Sequence, residues 1–192
     1  MTPLTIKKAH PLKHPEQRVG VFIDVQNMYY SAKNLFGTKV NFGAIVAEAT
    51  AARKLIRAFA YVISTESKEG QPFFDALYNL GIEIREKPLQ IFYGGEKKGD
   101  WDVGLTVDAI RLSSMVDTII IVSGDGDYVP LVEYLKNQGK KVEVVAFGET
   151  ASTKLVEAAD DFMDLSKDKD LFLIRDRRMF RPNVRTPRPP TK

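Results

Sequence analysis

From Val19 onward the chain alternates short apolar runs with longer amphipathic stretches. The first run, VGVFIDV (19–25), is nearly continuous, as expected of a strand covered on both faces. A helical stretch follows through Leu35 and stops near Gly37, and Asn41 offers an N-cap to a second helix over NFGAIVAEATAARK. LIRAFAYVIS then reads as a strand, QPFFDALYNLG as a helix ended by Gly81, and IEIREKPLQIFY as a strand or strand pair interrupted by Pro88. GGEKKGD reads as a loop. After it come a helix from Trp101 to about Met115, the strand DTIIIVS, the helix YVPLVEYLKNQG, the strand KVEVVAFG and a last helix near 152–159. Strands separated by helices of about ten to fifteen residues predict right-handed βαβ units. The expected fold class is α/β, a three-layer sandwich with a mainly parallel central sheet.

Composition narrows this picture. A chain of 192 residues suits one hydrophobic core with tails, and 44% hydrophobic content supports a folded globule. We expect a basic N-terminal arm over 1–17, one domain over 18–166 and a basic, Pro/Arg-rich extension over 167–192. The net charge of +3 is unevenly spread. Residues 1–18 carry +3 and residues 175–192 carry +6, which leaves −6 on the body between them. An acidic body between basic arms suits cation binding in the body and phosphate binding in the arms. Cysteine is absent, which excludes disulfides, thiolate nucleophiles and Cys-built zinc sites. Both histidines, His10 and His14, lie in the N-terminal arm, so catalysis in the body must rest on carboxylates. With no run of eighteen apolar residues and no apolar centre in the N-terminal segment, the expectation is a soluble, cytoplasmic protein without a membrane partner.

Three acids sit where two of the expected strands end. Asp24 closes the first strand, and Asp125 and Asp127 follow IIIVS. Ligands of open parallel sheets collect beyond the carboxyl ends of the strands. If these two strands are neighbours, the three carboxylates share one rim. Gathering such charges costs several kcal/mol each unless a counter-ion offsets it, and Mg²⁺ or Mn²⁺ suits an oxygen-only donor set. Gly124 and Gly126 would permit a tight turn of unusual φ that turns alternate side chains to one side. The alternatives are plain ones: a polar turn for GDGD and an N-cap for Asp24. On a helical wheel Asp102, Thr106 and Ser113 fall between two apolar stripes, one of Val103, Val107 and Ile110, the other of Leu105, Ala109, Leu112 and Val116. Asp102 is therefore a fourth candidate, with capping as its alternative. Asp108 points away toward an exposed pair with Arg111, and Asp100 reads as an ordinary helix N-terminal acid.

VFIDVQNMYY, KKGDWDVGLTVDAI and IIIVSGDGDYVPLVEYLKNQGKKVEVVAF, in this order, resemble the NYN domain, a PIN-like ribonuclease fold, and most closely its LabA-like branch. The resemblance runs over about residues 18–165 and includes STKLVEAADDFMDL. It implies a PIN-like, Rossmannoid sandwich, an acidic Mg²⁺ or Mn²⁺ pocket and RNA, single-stranded or structured, as substrate. By position it assigns catalytic and metal-binding roles to Asp24, Asp102, Asp125 and Asp127, with Asn27 and Ser123 in support. Asp108 matches the same pattern, against the wheel, and is ranked after Asp102.

For substrate contact the expectations are Lys97 and Lys98 on phosphates, and Trp101, Tyr29 and Tyr30 stacking on unpaired bases. The arms would add salt-dependent affinity without sequence preference. The expected function is a metal-dependent ribonuclease, with a homodimer compatible. Two rivals are a non-catalytic RNA-binding or regulatory module of the same fold and, behind it, a metal-dependent phosphatase. Against haloacid-dehalogenase chemistry, Gln26 stands where a second acid would be needed. GDGDY lacks the G-x-G-x-x-G spacing of a dinucleotide site.

Overall fold

The computed structural model describes residues 13–64, 70–91, 97–98 and 100–174, with only the backbone described at 90, 91, 97 and 98. In chain order the elements are β1 (Arg18–Asp24), α1 (Val25–Phe36), β2 (Lys39–Val40), α2 (Phe42–Thr50), β3 (Lys54–Ser64) and α3 (Gln71–Asn79). They continue with β4 (Glu83–Pro88), β5 (Gln90–Ile91), β6 (Lys97–Lys98), α4 (Asp102–Ser113), β7 (Thr118–Val122) and α5 (Val129–Asn137). The last are β8 (Lys141–Ala146), α6 (Thr153–Ala158), β9 (Asp161–Asp164), α7 (Lys169–Phe172) and β10 (Leu173–Ile174).

The six long strands form one sheet in the order β4-β3-β1-β7-β8-β9, and every pairing in it is parallel. Alternate residues of the central strands feed two cores. Val19, Val21 and Ile23 of β1 and Ile120 and Val122 of β7 face α1, α2 and α3. Phe22, Ile119 and Ile121 face α4, α5 and α6. That double coverage explains why IIIV reads as an unbroken apolar run. The fold is thus the expected three-layer α/β sandwich. Its chain runs outward from β1 to β3 and β4, then crosses to β7, β8 and β9. The direction of winding reverses between β1 and β7, and this is the switch point at which parallel sheets open a crevice.

Asn41 caps α2 as expected, its side chain accepting from the Ala44 N–H at 3.2 Å, and Gly37 ends α1 at φ 66°. Pro88 closes β4, and the chain beyond it forms a separate antiparallel pairing of β5 with β6. β9 was not expected, because DFMD offers only two apolar residues and lies at the sheet edge. Residues 167–174, assigned above to the extension, fold back on the α2 side. Phe172 is buried, its carbonyl accepts from the Asn41 N–H at 2.8 Å, and Leu173–Ile174 pair with Lys39–Val40. The arms at 1–12 and 175–192 lie outside the described residues.

At the amino ends of the strands the charges are paired. Arg53 and Glu143 are both buried and joined by two 2.8 Å hydrogen bonds, while Arg53 also donates to the carbonyls of Ala49 and Thr50. Arg18 pairs with Asp117 at 2.6 Å and holds that carboxyl down at about 2. Burial alone would raise the Glu143 carboxyl, but Arg53 and Lys141 outweigh it and leave its pKa below 4.5. The pair's contribution is therefore complete above about pH 4.5 and is lost as pH falls through the folded value.

Arg53→Met should destabilise the protein by about 3 kcal/mol or more in urea unfolding at pH 7, because it leaves a buried carboxylate with less compensation. Adding Glu143→Leu should recover at least about half of that loss and flatten the loss of stability below pH 4.5. A double variant no more stable than the single one would show that the pair is not the cause.

Candidate active site

Asp24 ends β1 and begins α1. Its Oδ1 accepts from the Asn27 N–H at 3.0 Å, so it is the helix N-cap. The functional and the capping readings are therefore compatible, since the cap uses one oxygen. Oδ2 accepts from Ser123 Oγ at 3.4 Å and from the Tyr128 hydroxyl at 3.3 Å. After β7 the SGDGD loop is pinned to α1 by Asn27, whose Oδ1 accepts from the Gly124 N–H at 3.0 Å. Ser123 Oγ accepts from the Asp125 N–H at 3.2 Å, and Asp125 Oδ1 caps a 3-10 turn by accepting from the Asp127 N–H at 3.0 Å. Gly124 and Gly126 do not have positive φ, contrary to the expectation; among the described residues only Gly37, Gly81 and Gly139 are glycines that do. They are needed for close approach instead. A Cβ on Gly124 would stand 3.0 Å from Ala151 Cα, and one on Gly126 2.8 Å from Ser152 Oγ.

Asp102 opens α4 on the far side of the same crevice, and its Oδ1 accepts from Tyr128 at 3.1 Å. Only the Leu105, Ala109 and Leu112 stripe of α4 is buried; Val103, Val107 and Ile110 are exposed. Asp102 thus sits at the margin of the buried face rather than at its centre, and this margin is where the pocket opens. Trp101 forms the adjoining wall. Its Nε1 donates to the Val62 carbonyl at 2.9 Å, and its ring lies over Gly104, where a Cβ would stand 2.5 Å from the ring.

Asp24, Asp102 and Asp125 line one pocket of about 400 Å³, joined by Asp100. Burial raises the Asp24 pKa, with Asp102 and Asp125 adding to it and the Asn27 N–H and Tyr128 opposing. Partial burial likewise raises Asp102, reinforced by Asp125, Asp100 and Asp127. Tyr128 is buried beside both acids and is held firmly protonated. Its single hydroxyl proton faces two carboxylate acceptors and can serve one at a time.

The NYN domain model matches residues 18–166. The chain belongs to the NYN domain family. It is similar to the low amplitude and bright protein LabA of Synechococcus elongatus, 26% identical over 160 residues, covering 78% of this chain and 84% of that protein. It also resembles an uncharacterized protein of Methanocaldococcus jannaschii, 28% identical over 163 residues, covering 81% of this chain and 58% of that protein's length. Among solved structures, a protein of unknown function from Vibrio parahaemolyticus superposes with a TM-score of 0.76 at 34% identity, covering 83% of this chain and 98% of that one. NYN domains are typically nuclease-like, and the LabA-like branch agrees with the relative found.

On this NYN frame the residues read from the sequence divide. Asp24, Asn27, Asp102, Asp125 and Trp101 line the pocket, and Ser123 is buried directly behind Asp24. Asp127 is exposed, is not part of the lining, and reaches Asp102 only through its charge. Asp108 lies outside the pocket, held by Tyr61 at 3.1 Å and Arg85 at 3.2 Å, with Arg111 more distant at 3.9 Å. Tyr29 is not in the lining and Tyr30 is. The side chains of Lys97 and Lys98 lie outside the described residues. Sequence reasoning missed Tyr128 and Asp100. The signal for Tyr128 was its place directly after the acids, since a buried tyrosine hydroxyl demands a partner.

Among the described residues, no group of three or more His, Cys, Asp or Glu side chains is gathered closely enough to cage a metal ion. The donors present are carboxylates around an open pocket that, among the described residues, no Lys, Arg or His lines. Such a set fits a hard divalent ion that keeps most of its waters, and does not fit a closed protein cage.

Because burial raises the Asp24 pKa above its usual 3.8, its contribution to stability is fully present below that pH and falls as pH rises through the folded value. Asp24→Asn keeps an oxygen for the cap and removes the charge. In EDTA at pH 7 it should raise Tm, and below about pH 3.8 the gain should vanish. Differential scanning calorimetry at the two pH values checks this, and no gain at pH 7 would contradict it.

Proposed function

We propose that this NYN domain is a metal-dependent ribonuclease that hydrolyses RNA phosphodiester bonds, using Mg²⁺ or Mn²⁺. The observation that carries the reading is the lining of one crevice, at the switch point of the sheet, by carboxylates from three separate segments, with no Lys, Arg or His among the described lining residues. Asp24 and Asp125 would hold the ion and Asp102 would share it. When bound, the ion supplies positive charge that screens the scissile phosphate and favours attack by water.

The chain's own residues then do four things. Asn27 and Ser123 fix the SGDGD loop against α1, which sets the spacing of Asp24 and Asp125. Tyr128 orients both Asp24 and Asp102 through its shared hydroxyl. Asp102 Oδ1 faces the Tyr128 hydroxyl, and Oδ2 would accept the proton of the attacking water. The water oxygen bonds to phosphorus, the bond from phosphorus to the leaving ribose oxygen breaks, and that oxygen takes a proton from solvent at the open mouth. Lys87, which donates to the Asp100 carbonyl at 3.2 Å beside Trp101, is placed to meet a neighbouring phosphate. The basic arms would add further phosphate contacts.

One observation favours a second reading, a non-catalytic RNA-binding module: the acids do not form a ready-made cage among the described residues. Labelled unstructured and hairpin RNAs incubated with Mn²⁺ or EDTA separate the two. We expect cleavage that requires the metal and that Asp125→Asn lowers by about 100-fold or more, the scale on which one lost electrostatic contact acts. RNA binding without turnover, unchanged in Asp125→Asn, would leave the second reading. Equal cleavage by variant and wild type would assign the activity to a contaminant.

A further inference from the structure

We infer that α1 carries a subsite for one unpaired nucleobase beside the acidic pocket, formed by Gln26, Tyr30 and Asn34. The inference rests on the ribonuclease reading for the phosphate half of the ligand, and its own observations concern the other wall. Positions 26, 30 and 34 repeat every four residues and so form one ridge of the helix. All three line the pocket. The ridge faces the acids across a space of about 400 Å³, at the small end of the range for ligand pockets. That volume admits a nucleotide.

The hydrogen-bonding capacity of this wall is what singles it out. Asn27 Oδ1 is committed to the Gly124 N–H, and Ser31 Oγ accepts from Thr150 Oγ1 at 3.0 Å. Asp24 and Asp102 share the Tyr128 hydroxyl. By contrast the carboxamides of Gln26 and Asn34 and the hydroxyl of Tyr30 have no hydrogen-bond partner among the described residues. Each carboxamide offers paired donors and acceptors, the pattern that matches the edge of a base. Neutral amides have little hold on a phosphate, and no Lys, Arg or His lines this pocket among the described residues, so the uncharged half of a nucleotide is the better fit. The Tyr30 ring is half exposed and is braced edge-on by Tyr29 at 5.4 Å, with Lys33 Nζ 5.5 Å over the Tyr29 ring. A braced, exposed ring at a pocket mouth is a stacking platform, and stacking tolerates any base. The carboxamides would supply the discrimination.

The ¹⁵N-labelled full-length protein, in Mg²⁺, is titrated separately with AMP, GMP, CMP, UMP and inorganic phosphate. At least one nucleotide should shift the side-chain amide signals of Gln26 and Asn34 along a saturating curve, and phosphate should leave them in place. Tyr30→Ala should weaken that nucleotide tenfold or more, the loss expected for one base stack, while Tyr30→Phe stays within about threefold. Gln26→Ala and Asn34→Ala should alter the ranking of the four nucleotides. A short unstructured RNA should compete with the nucleotide and a duplex of the same sequence should not. The inference is overturned if phosphate moves the same signals as the nucleotides, if a folded Tyr30→Ala binds as tightly as wild type, or if the duplex competes as well as the single strand. The titration needs no turnover, so nucleotide binding without RNA cleavage sinks the ribonuclease reading and keeps the subsite. Cleavage that depends on metal and Asp125, with a KM indifferent to Tyr30→Ala, does the reverse.

Discussion

Negative charge crowded at one edge of the sheet is the constraint around which this fold is organised. Asp24, Asp102 and Asp125 meet at the carboxyl ends of β1 and β7 with no Lys, Arg or His among the described residues of the pocket lining. At the amino ends two acids are matched, Glu143 by Arg53 and Asp117 by Arg18. The same chain thus pairs its charges where they serve the fold alone and leaves them unpaired where the crevice opens. Raised carboxyl pKa values at Asp24 and Asp102 are the cost of that arrangement, and stability is given up at the site to keep it.

Much of this was legible in the sequence because the two central strands announce themselves. Continuous apolar runs end abruptly in Asp24 and in SGDGD, and a parallel sheet puts such ends together once the strands are adjacent. The caps at Gly37 and Asn41 were legible for a similar reason, since each acts on its immediate neighbours. What escaped depends on contacts far apart in the chain. Gly124 and Gly126 looked like residues of unusual backbone angle, whereas their requirement comes from residues 150–152 packing against them. The wheel for α4 could not tell which of two apolar stripes meets the sheet, so Asp102 seemed central when it is marginal. Asp100 looked ordinary because nothing local marks the wall that it completes.

The cap at Asp24 uses one oxygen of the carboxylate, and the other faces Ser123 and Tyr128. The cap orients the side chain and ties the start of α1 to the acid, so that Gln26, Asn27 and Tyr30 inherit their positions from it. Tyr128 does the same from the opposite side by linking Asp24 to Asp102. The cap leaves the second oxygen of Asp24 turned to the crevice, which explains why local reasoning could defend either role.

The pairing of β1 with β7 also sets when the pocket can exist. Asp24 and Ser123 are 99 positions apart, so no local event brings them together. Closing so long a loop is slow compared with forming a helix, and it precedes any reward from the contacts that it makes. The crevice therefore exists only once the second strand is docked beside the first, and no amino-terminal fragment that stops short of the SGDGD loop contains it.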